Sequence, residues 1–330
     1  MGAPHWFGFR IVGDPAKRRR LVDPFAAFTA YAVCDERAEV EREAYLSAFS
    51  FGDDFRELLD ATGSVRGFAG VCWSPFLWFD VDNESNGKQA LRDTRRLASS
   101  ILERYRTLDD DQLLIFFSGS KGFHVGLPTT WGPAPSMLFH RVARRFAERL
   151  ADVAGATIDK SVYDKVRAFR APNSKHPRTG LHKRRLSFDE LLHLTPEAIR
   201  KLAVEPKPFD VLEVAAELAQ AQQEWKACVL EVEQEAEAKS QCRKQAMAGA
   251  PQLNRLTLEF IRDGAAIGDR HRLLFSAAAN LAEFGCPPAL AHALLKESAL
   301  DCGLPPAEVH RQIECGLKHV QLDTEKNGHG

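Results

Sequence analysis

Long hydrophobic runs are missing from this sequence. No stretch of about 18 consecutive apolar residues, the length needed to cross a bilayer, occurs in the chain. The first nine residues and the basic run Lys17–Arg20 also lack the apolar segment of a secretory signal. We therefore expect a soluble, cytoplasmic protein with no membrane partner.

Paired cysteines are also missing. The chain has 7 cysteines, an odd number, and they are widely scattered without a CxxC pair. Such spacing argues against a disulfide framework and against a structural zinc site. We expect reduced and mostly buried thiols, and we predict no zinc.

A strong charge of either sign is absent, since the formal net charge is -1. The distribution is less even. From Lys160 to Arg185 there are nine lysines or arginines but only one acid, Asp164. A local excess of this kind favours a phosphate-facing surface.

Hydrophobic patterning predicts alternating strands and helices in the first half of the chain. An apolar run ending at Asp82 reads as a buried strand, Asn83–Gly87 as a turn, and Lys88–Arg106 as an amphipathic helix. Leu113–Phe117 and Phe123–Leu127 read as two strands joined by a polar, glycine-containing loop. The first half should therefore mix strands with helices.

Helical patterns dominate the rest of the chain. We predict a helix at Ser136–Val153, a capping box at Ser187 and Glu190, and almost continuous helix at Phe209–Met247. Short helices follow from Leu253 onwards. Prolines near residue 206 suggest a boundary, giving a catalytic domain at 1–205, a connecting helix at 206–250 and a helical domain at 251–330. Truncation near Pro208 should then leave the catalytic domain intact.

Asp80 and Asp82 stand two residues apart at the end of the first apolar strand. On a strand both carboxylates point to one side, while Phe79 and Val81 point into the core. Like charges so placed are costly unless a cation lies between them, and Mg²⁺ or Mn²⁺ prefers such oxygen ligands. The pair alone fits an exposed strand end or turn equally well.

The loop between the next two strands carries hydrogen-bond donors. Ser118, Lys121, Gly122 and His124 supply a hydroxyl, a cation, a freed backbone amide and an imidazole, which suits an anion. A satisfied histidine beside a glycine hairpin is the alternative. Their coincidence in one loop favours the anion site.

Asp159 is followed by a cationic strip. Arg167 and Arg170, three residues apart, can present guanidinium forks to one phosphate chain, and Lys175 and His176 extend the strip. The alternative is a basic strand exposed to solvent. An acid followed by such a strip favours a third metal ligand beside a triphosphate.

Taken in order, FDVD, SGSKGFH and ID resemble the three motifs of the archaeo-eukaryotic primase superfamily. The continuation VYDKVRAFRAPNSKH resembles the segment after the third acid in its primase-polymerase branch. The resemblance implies an α+β fold, with a two-layer catalytic core of primase type around an RRM-like mixed or antiparallel sheet. It also implies two metal ions, Mg²⁺ or Mn²⁺, on Asp80, Asp82 and Asp159.

By the same resemblance, seven residues would hold the triphosphate of the incoming nucleotide and neutralise its charge. They are Ser118, Lys121, Gly122, His124, Arg167, Arg170 and Lys175.

The tail from Gly268 to Val309 resembles the small all-α carboxy-terminal domain of plasmid and phage primase-polymerases. In that family the domain assists primer initiation. Truncation near Pro208 should therefore preserve extension of a supplied primer but impair initiation. Arg270, His271, Arg272 and Lys318 are candidate phosphate partners, with helix caps and exposed cations as the alternative.

The implied function is a DNA primase-polymerase of a plasmid, phage or other mobile element. Its partners would be a single-stranded DNA template, NTP or dNTP, and a separate replicative helicase. Three alternatives stay open: a gap-filling polymerase of end-joining repair, a non-catalytic replication-initiator protein that binds DNA, and a metal-dependent nuclease.

Overall fold

The computed structural model describes residues 5–82, 87–211, 218–248 and 253–327, with side chains at 243–248 and 320–327 left out. The predicted turn at Asn83–Gly87 lies outside these ranges except for Gly87. Two units divide the chain, Met1–Glu237 and Ala238–Gly330. Each is treated separately below.

The first unit contains the strands. They are Gly8–Val12 (β1), Arg20–Val22 (β2), Ala44–Ser47 (β3), Ser50–Phe51 (β4), Cys72–Trp73 (β5), Phe76–Val81 (β6), Leu114–Phe117 (β7), Phe123–Pro128 (β8), Ala168–Arg170 (β9) and Arg184–Leu186 (β10). One sheet has the order β10-β7-β8-β6 and another the order β2-β1-β3-β9, and β4 pairs with β5. All the paired strands are antiparallel.

Helices lie between and after these strands. In the first unit they are Pro24–Ala32 (α1), Asp53–Thr62 (α2), Gly87–Arg104 (α3), Phe139–Ala154 (α4), Phe188–His193 (α5), Pro196–Leu202 (α6) and the first part of Ala219–Ala248 (α7). The second unit contains Arg255–Asp263 (α8), Arg270–Glu283 (α9), Pro288–Asp301 (α10) and Pro306–Asn327 (α11). The predicted mixed fold with a helical carboxy-terminal region is confirmed.

The strand β6 forms one edge of its sheet and pairs with β8. Leu77, Phe79 and Val81 are buried on the side that faces α3 and α4. The apolar face of α3 is the predicted one, because Leu91, Leu97 and other residues at helical spacing are buried. This packing fixes the direction in which the remaining β6 side chains point.

A hairpin of β7 and β8 pairs with β6. Its register places Asp80 opposite His124, and His124 opposite Phe116. Directly opposed residues share one face of a sheet. Asp80 and His124 therefore lie on the face away from α3.

The second sheet packs against that face through β9. The Phe169 ring centroid lies 5.4 Å from that of Trp78 on β6 and 4.2 Å from that of His124 on β8. A single residue of β9 thus contacts two strands of the other sheet. Arg170, the next residue along β9, lies at the same contact between the two sheets.

The helix α7 belongs partly to the first unit. The Trp225 ring centroid lies 5.1–5.9 Å from those of Phe139, Phe146 and Trp131. Glu224, beside it, accepts hydrogen bonds from Arg104 and Tyr105. The segment predicted as a connecting helix therefore completes the core beyond residue 205.

The second unit has its own apolar core, to which the four helices α8, α9, α10 and α11 contribute. The buried residues come from all four helices and include Phe260, Leu274, Leu295 and Ile313. Within the part of the chain that the structure describes, no helix is long and apolar enough to span a bilayer.

Candidate active site

Two aspartates lie at the end of β6, and the backbone of a third is hydrogen-bonded to this end of the strand. Asp80 is its penultimate residue, and Asp82 follows its last residue. The backbone N–H of Asp159 donates a hydrogen bond to the Asp80 carbonyl over 2.7 Å. The third acid is therefore joined to the first through the backbone, although the two are distant in sequence.

Asp80 is the acid most strongly affected by its surroundings. Burial, together with the charges of Asp159 and Asp82, raises the pKa of its carboxyl to about 7. A bound cation would offset both causes, since it solvates the carboxylate and cancels the repulsion. These acids therefore fit a site for a hard divalent cation such as Mg²⁺ or Mn²⁺.

The Asp159 carboxylate is held in place by local bonds. One oxygen accepts from the Ser161 backbone N–H at 2.8 Å, and the other accepts from the Ser161 hydroxyl at 2.7 Å. Each carboxylate oxygen can accept a further interaction. The three acids are not drawn into a single tight cluster: among the described residues, the group of three ligand atoms within 4.8 Å of one another lies elsewhere.

The loop between β7 and β8 is anchored from three directions. The Ser118 N–H donates to the Gly122 carbonyl at 2.9 Å. Thr179 donates its hydroxyl proton to the Gly119 carbonyl, and Arg200 donates to the Ser120 carbonyl at 3.1 Å. Gly119 has a φ of +89°, a conformation that favours glycine. The loop thus has a defined shape beside the acids.

Gly122 sits against the second acid. A Cβ added at this position would lie 3.1 Å from the Val81 carbonyl oxygen and 3.3 Å from the Asp82 Cβ. Both contacts are tighter than ordinary packing. A glycine is what lets the hairpin approach the acidic end of β6.

His124 is a buried neutral side chain. Its Nε2 lies 3.6 Å from Asp80 Oδ1, and burial lowers its pKa well below the usual range. Among the described residues its buried Nδ1 has no hydrogen-bond partner. Burial thus disfavours a positive charge on His124, and the prediction that this residue acts on a bound triphosphate stays a prediction.

Arg170 presents a partly satisfied guanidinium. Its Nη2 donates to the Tyr45 hydroxyl at 3.2 Å, and the guanidinium carbon lies 5.0 Å from the Tyr45 ring centroid. Its buried Nη1 has no hydrogen-bond partner within the described chain, and lies 4.0 Å from Glu43 Oε1. A buried donor left without a hydrogen bond suits an anionic ligand.

A cavity of about 220 Å³ brings most of the predicted site residues together. The predicted residues that line it are Asp80, Asp82, Ser118, Lys121, Gly122, His124, Arg167 and Arg170. Carboxylates and cations thus face one space. That is the arrangement expected for a metal-bound polyphosphate.

Two predicted residues do not line this cavity. The backbone of Asp159 is joined to Asp80, as described above. Lys175 forms an ion pair with Glu41, with Nζ and Oε2 2.8 Å apart. Its charge is thus already balanced by a neighbour, which sequence reasoning did not anticipate.

Other residues of the cavity were not among the predicted ligands. They are Tyr45, Ser120, Ala168, Phe169, His176 and Arg178. His176 belongs to the cationic strip, and Arg178 lies within the basic stretch Lys160–Arg185, so the sequence did contain a signal for both. No sequence signal pointed to Tyr45, because this residue lies on β3 of the other sheet and outside the motifs.

Lys183 is a further residue that the sequence did not single out. It is buried, and its Nζ donates to the Arg170 carbonyl at 2.8 Å and lies 4.4 Å from the Phe169 ring centroid. Burial lowers its pKa well below the usual range, although the charge of Asp80 acts in the opposite direction. Lys183 therefore supports the backbone of β9 at Arg170.

Three of the four candidate phosphate partners in the second unit, Arg270, His271 and Arg272, have local partners, and Lys318 is exposed. Arg270 donates to the carbonyls of Cys302 and Gly303 at 3.0 and 3.1 Å. Arg272 pairs with Asp269 at 3.0 Å, and His271 lies 3.4 Å from Glu308. These contacts favour the alternative of helix caps and surface pairs.

Comparisons with known proteins add no relative. No family model matches this chain. No curated protein and no solved structure matches it significantly. Function must therefore be argued from the residues and their arrangement.

Proposed function

We propose that this protein is a DNA primase-polymerase, a template-directed nucleotidyltransferase that makes and extends primers on single-stranded DNA. One observation carries the proposal. The acids at the end of β6 and the cations of β9 and the β7–β8 loop face each other across one cavity. A nucleoside triphosphate with its metal ions has the complementary charges.

Asp80, Asp82 and Asp159 would hold two divalent cations. When bound, such ions activate a 3′-hydroxyl for in-line attack on the α-phosphate and stabilise the leaving pyrophosphate. The raised pKa of Asp80 supports this assignment, because the carboxyl is costly to ionise without a cation.

The opposite wall would bind the triphosphate. Arg167 and Arg170 are spaced to offer guanidinium groups to one phosphate chain, and Lys121 and Arg178 add charge. His124 would donate one hydrogen bond as a neutral imidazole. Positioning and electrostatic stabilisation by these groups account for most of the catalysis that such a site needs.

Extension and initiation place different demands on the protein. Extension needs this one nucleotide site and a primer end. Initiation must hold two nucleotides on a template, and we assign assistance in that step to the second unit. This assignment rests on the resemblance of the tail, since its arginines have local partners.

Primer synthesis on unprimed single-stranded DNA tests the proposal. NTP and dNTP would be supplied separately, each with Mg²⁺ or Mn²⁺. We expect the wild type to form products and Asp80→Asn with Asp82→Asn to form none, a loss of at least about a thousandfold. Asp109→Asn with Asp110→Asn is the matched control, because it removes two exposed carboxylates from another loop.

Undiminished dinucleotide synthesis by the Asp80/Asp82 double variant would contradict the proposal. Extension limited to gaps with a recessed 5′-phosphate, without initiation, would assign the repair alternative instead. Degradation of labelled DNA in Mg²⁺ without nucleotides would assign the nuclease.

A further inference from the structure

A group of metal-ligating side chains lies in the second unit, outside the site described above. His292 belongs to α10, while His310 and Glu314 belong to α11. One ligand atom from each lies within 4.8 Å of the other two. The His292 Nε2 is 2.9 Å from Glu314 Oε1, and the two imidazole centroids are 4.9 Å apart.

Packing of the two helices fixes where these side chains stand. Each follows directly after a fully or almost fully buried apolar residue: Ala291, Val309 and Ile313. His310 and Glu314 are four residues apart, so they lie on one face of α11. The backbone positions are therefore set by the apolar core, as a preorganised ligand site requires.

The donor set indicates a particular class of ion. Two imidazoles and one carboxylate suit Zn²⁺ and related first-row transition metals, whereas Mg²⁺ prefers oxygen alone. Tetrahedral ligands at about 2.0–2.1 Å from Zn²⁺ stand about 3.4 Å from one another. The present separation of 2.9 Å between His292 and Glu314 would have to widen slightly, and the other separations, at most 4.8 Å, would have to approach that spacing.

The nearby cation is compatible with binding. Lys318, which acts on the Glu314 carboxylate, is exposed, and solvent screens its charge.

We infer that His292, His310 and Glu314 form a site for Zn²⁺ or a related transition-metal ion that ties α10 to α11. Three protein ligands leave one tetrahedral position for water or a ligand from outside the unit. None of these three residues belongs to the candidate active site, and the inference does not depend on the proposed activity.

A second histidine–carboxylate pair in the same unit provides a control. His271 lies 3.4 Å from Glu308, yet no third ligand of this kind joins the two among the described residues. If His292 and Glu314 formed only an ion pair, they would bind metal no better than His271 and Glu308 do. A metal site would bind it more tightly.

Metal binding by the full chain tests the inference. The parent protein for this test, called the background, would carry Asp80→Asn and Asp82→Asn so that the acids at the end of β6 do not bind the added metal. Bound metal would be removed with a chelator. The protein would then be titrated with Co²⁺, whose visible absorption reports tetrahedral binding. We expect one equivalent of Co²⁺ that Zn²⁺ displaces. His310→Gln should weaken this binding by about tenfold or more, while His271→Gln leaves it unchanged.

His310→Gln is the informative variant, because His310 is exposed and the His292–Glu314 contact survives the change. Circular dichroism would verify that its helices are retained. Equal Co²⁺ affinity in the background and His310→Gln, or an equal loss in His271→Gln, would overturn the inference. Thermal unfolding with and without Zn²⁺ should show stabilisation of the background but not of His310→Gln.

Discussion

Asp80 combines burial with proximity to two other carboxylates. Its side chain is only 22% exposed, and its carboxyl keeps a proton up to about pH 7 in the metal-free protein. The same residue thus destabilises the fold at neutral pH and is a proposed ligand for a cation. Functional sites commonly carry such a cost.

We predict that Asp80→Asn stabilises the metal-free protein increasingly as pH rises from about 4 to 7. In this window the folded state holds a proton that the unfolded state releases, so the wild type loses stability as pH rises through the folded pKa. The difference in unfolding free energy should reach at most about 4 kcal/mol near neutral pH. Denaturant titrations with a chelator at several pH values measure it.

Asp109→Asn is the control, because that carboxyl is exposed. Mn²⁺ should reduce the advantage of Asp80→Asn, since a bound cation stabilises the ionised wild type. A difference that does not change with pH would contradict the prediction.

At the scale of elements, the hairpin of β7 and β8 determines which residues of the site lie next to one another. It places His124 opposite Asp80 and Gly122 against Asp82. Two elements from distant parts of the chain then complete the cavity: β9 supplies Arg170, and β3 supplies Tyr45.

We predict that Gly122→Ala lowers nucleotidyl transfer while the protein stays folded. The added Cβ would press on the Val81 carbonyl and on Asp82, moving the hairpin by a few tenths of an ångström. Misplacement of this order in a positioned site can cost about tenfold or more in rate. Primer extension under saturating nucleotide measures the effect.

Gly87→Ala is the matched control. Its added Cβ would meet the Lys121 backbone at 3.5 Å, an ordinary contact. We expect near-normal rates from it. Equal losses in both variants would show that the close approach at Gly122 is not what matters.

Local patterns predicted the elements, but not how they meet. Period-two alternation placed Asp80 and Asp82 on one side of a strand, and the capping box at Ser187 and Glu190 is confirmed. The contact of Phe169 with His124 depends on sheet packing between segments about 45 residues apart. The Lys175–Glu41 pair and the burial of Lys183 depend on tertiary structure in the same way.

On the scale of the whole molecule, the first unit ends later than the prolines suggested. Trp225 is buried among three aromatic rings, so the core continues into α7. A burial of this size cannot be read from an Ala- and Glu-rich helix pattern. The expected truncation near Pro208 would therefore remove part of the core.

We predict that a chain ended after Glu237 retains the stability of the first unit and extends a supplied primer. A chain ended after Pro208 should lose about 3–5 kcal/mol of unfolding free energy, because it lacks Trp225. Trp225→Ala in the longer piece should reproduce most of that loss. Thermal and denaturant unfolding of the three proteins provides the comparison.

Equal stability of the two truncated chains would contradict this account. Leu230→Ala in the longer piece is the control, since that side chain is 59% exposed on the same helix. It should change stability little.

The cavity lies along the seam between two sheets, with acids on one side and Arg170 on the other. A nucleotide bound there would connect the two sheets, since its metal ions would bind the end of β6 and its phosphates would bind β9. Binding at a hundred times the dissociation constant adds about 2.7 kcal/mol to the free energy of unfolding. Substrate would then hold together the two layers that create its own site.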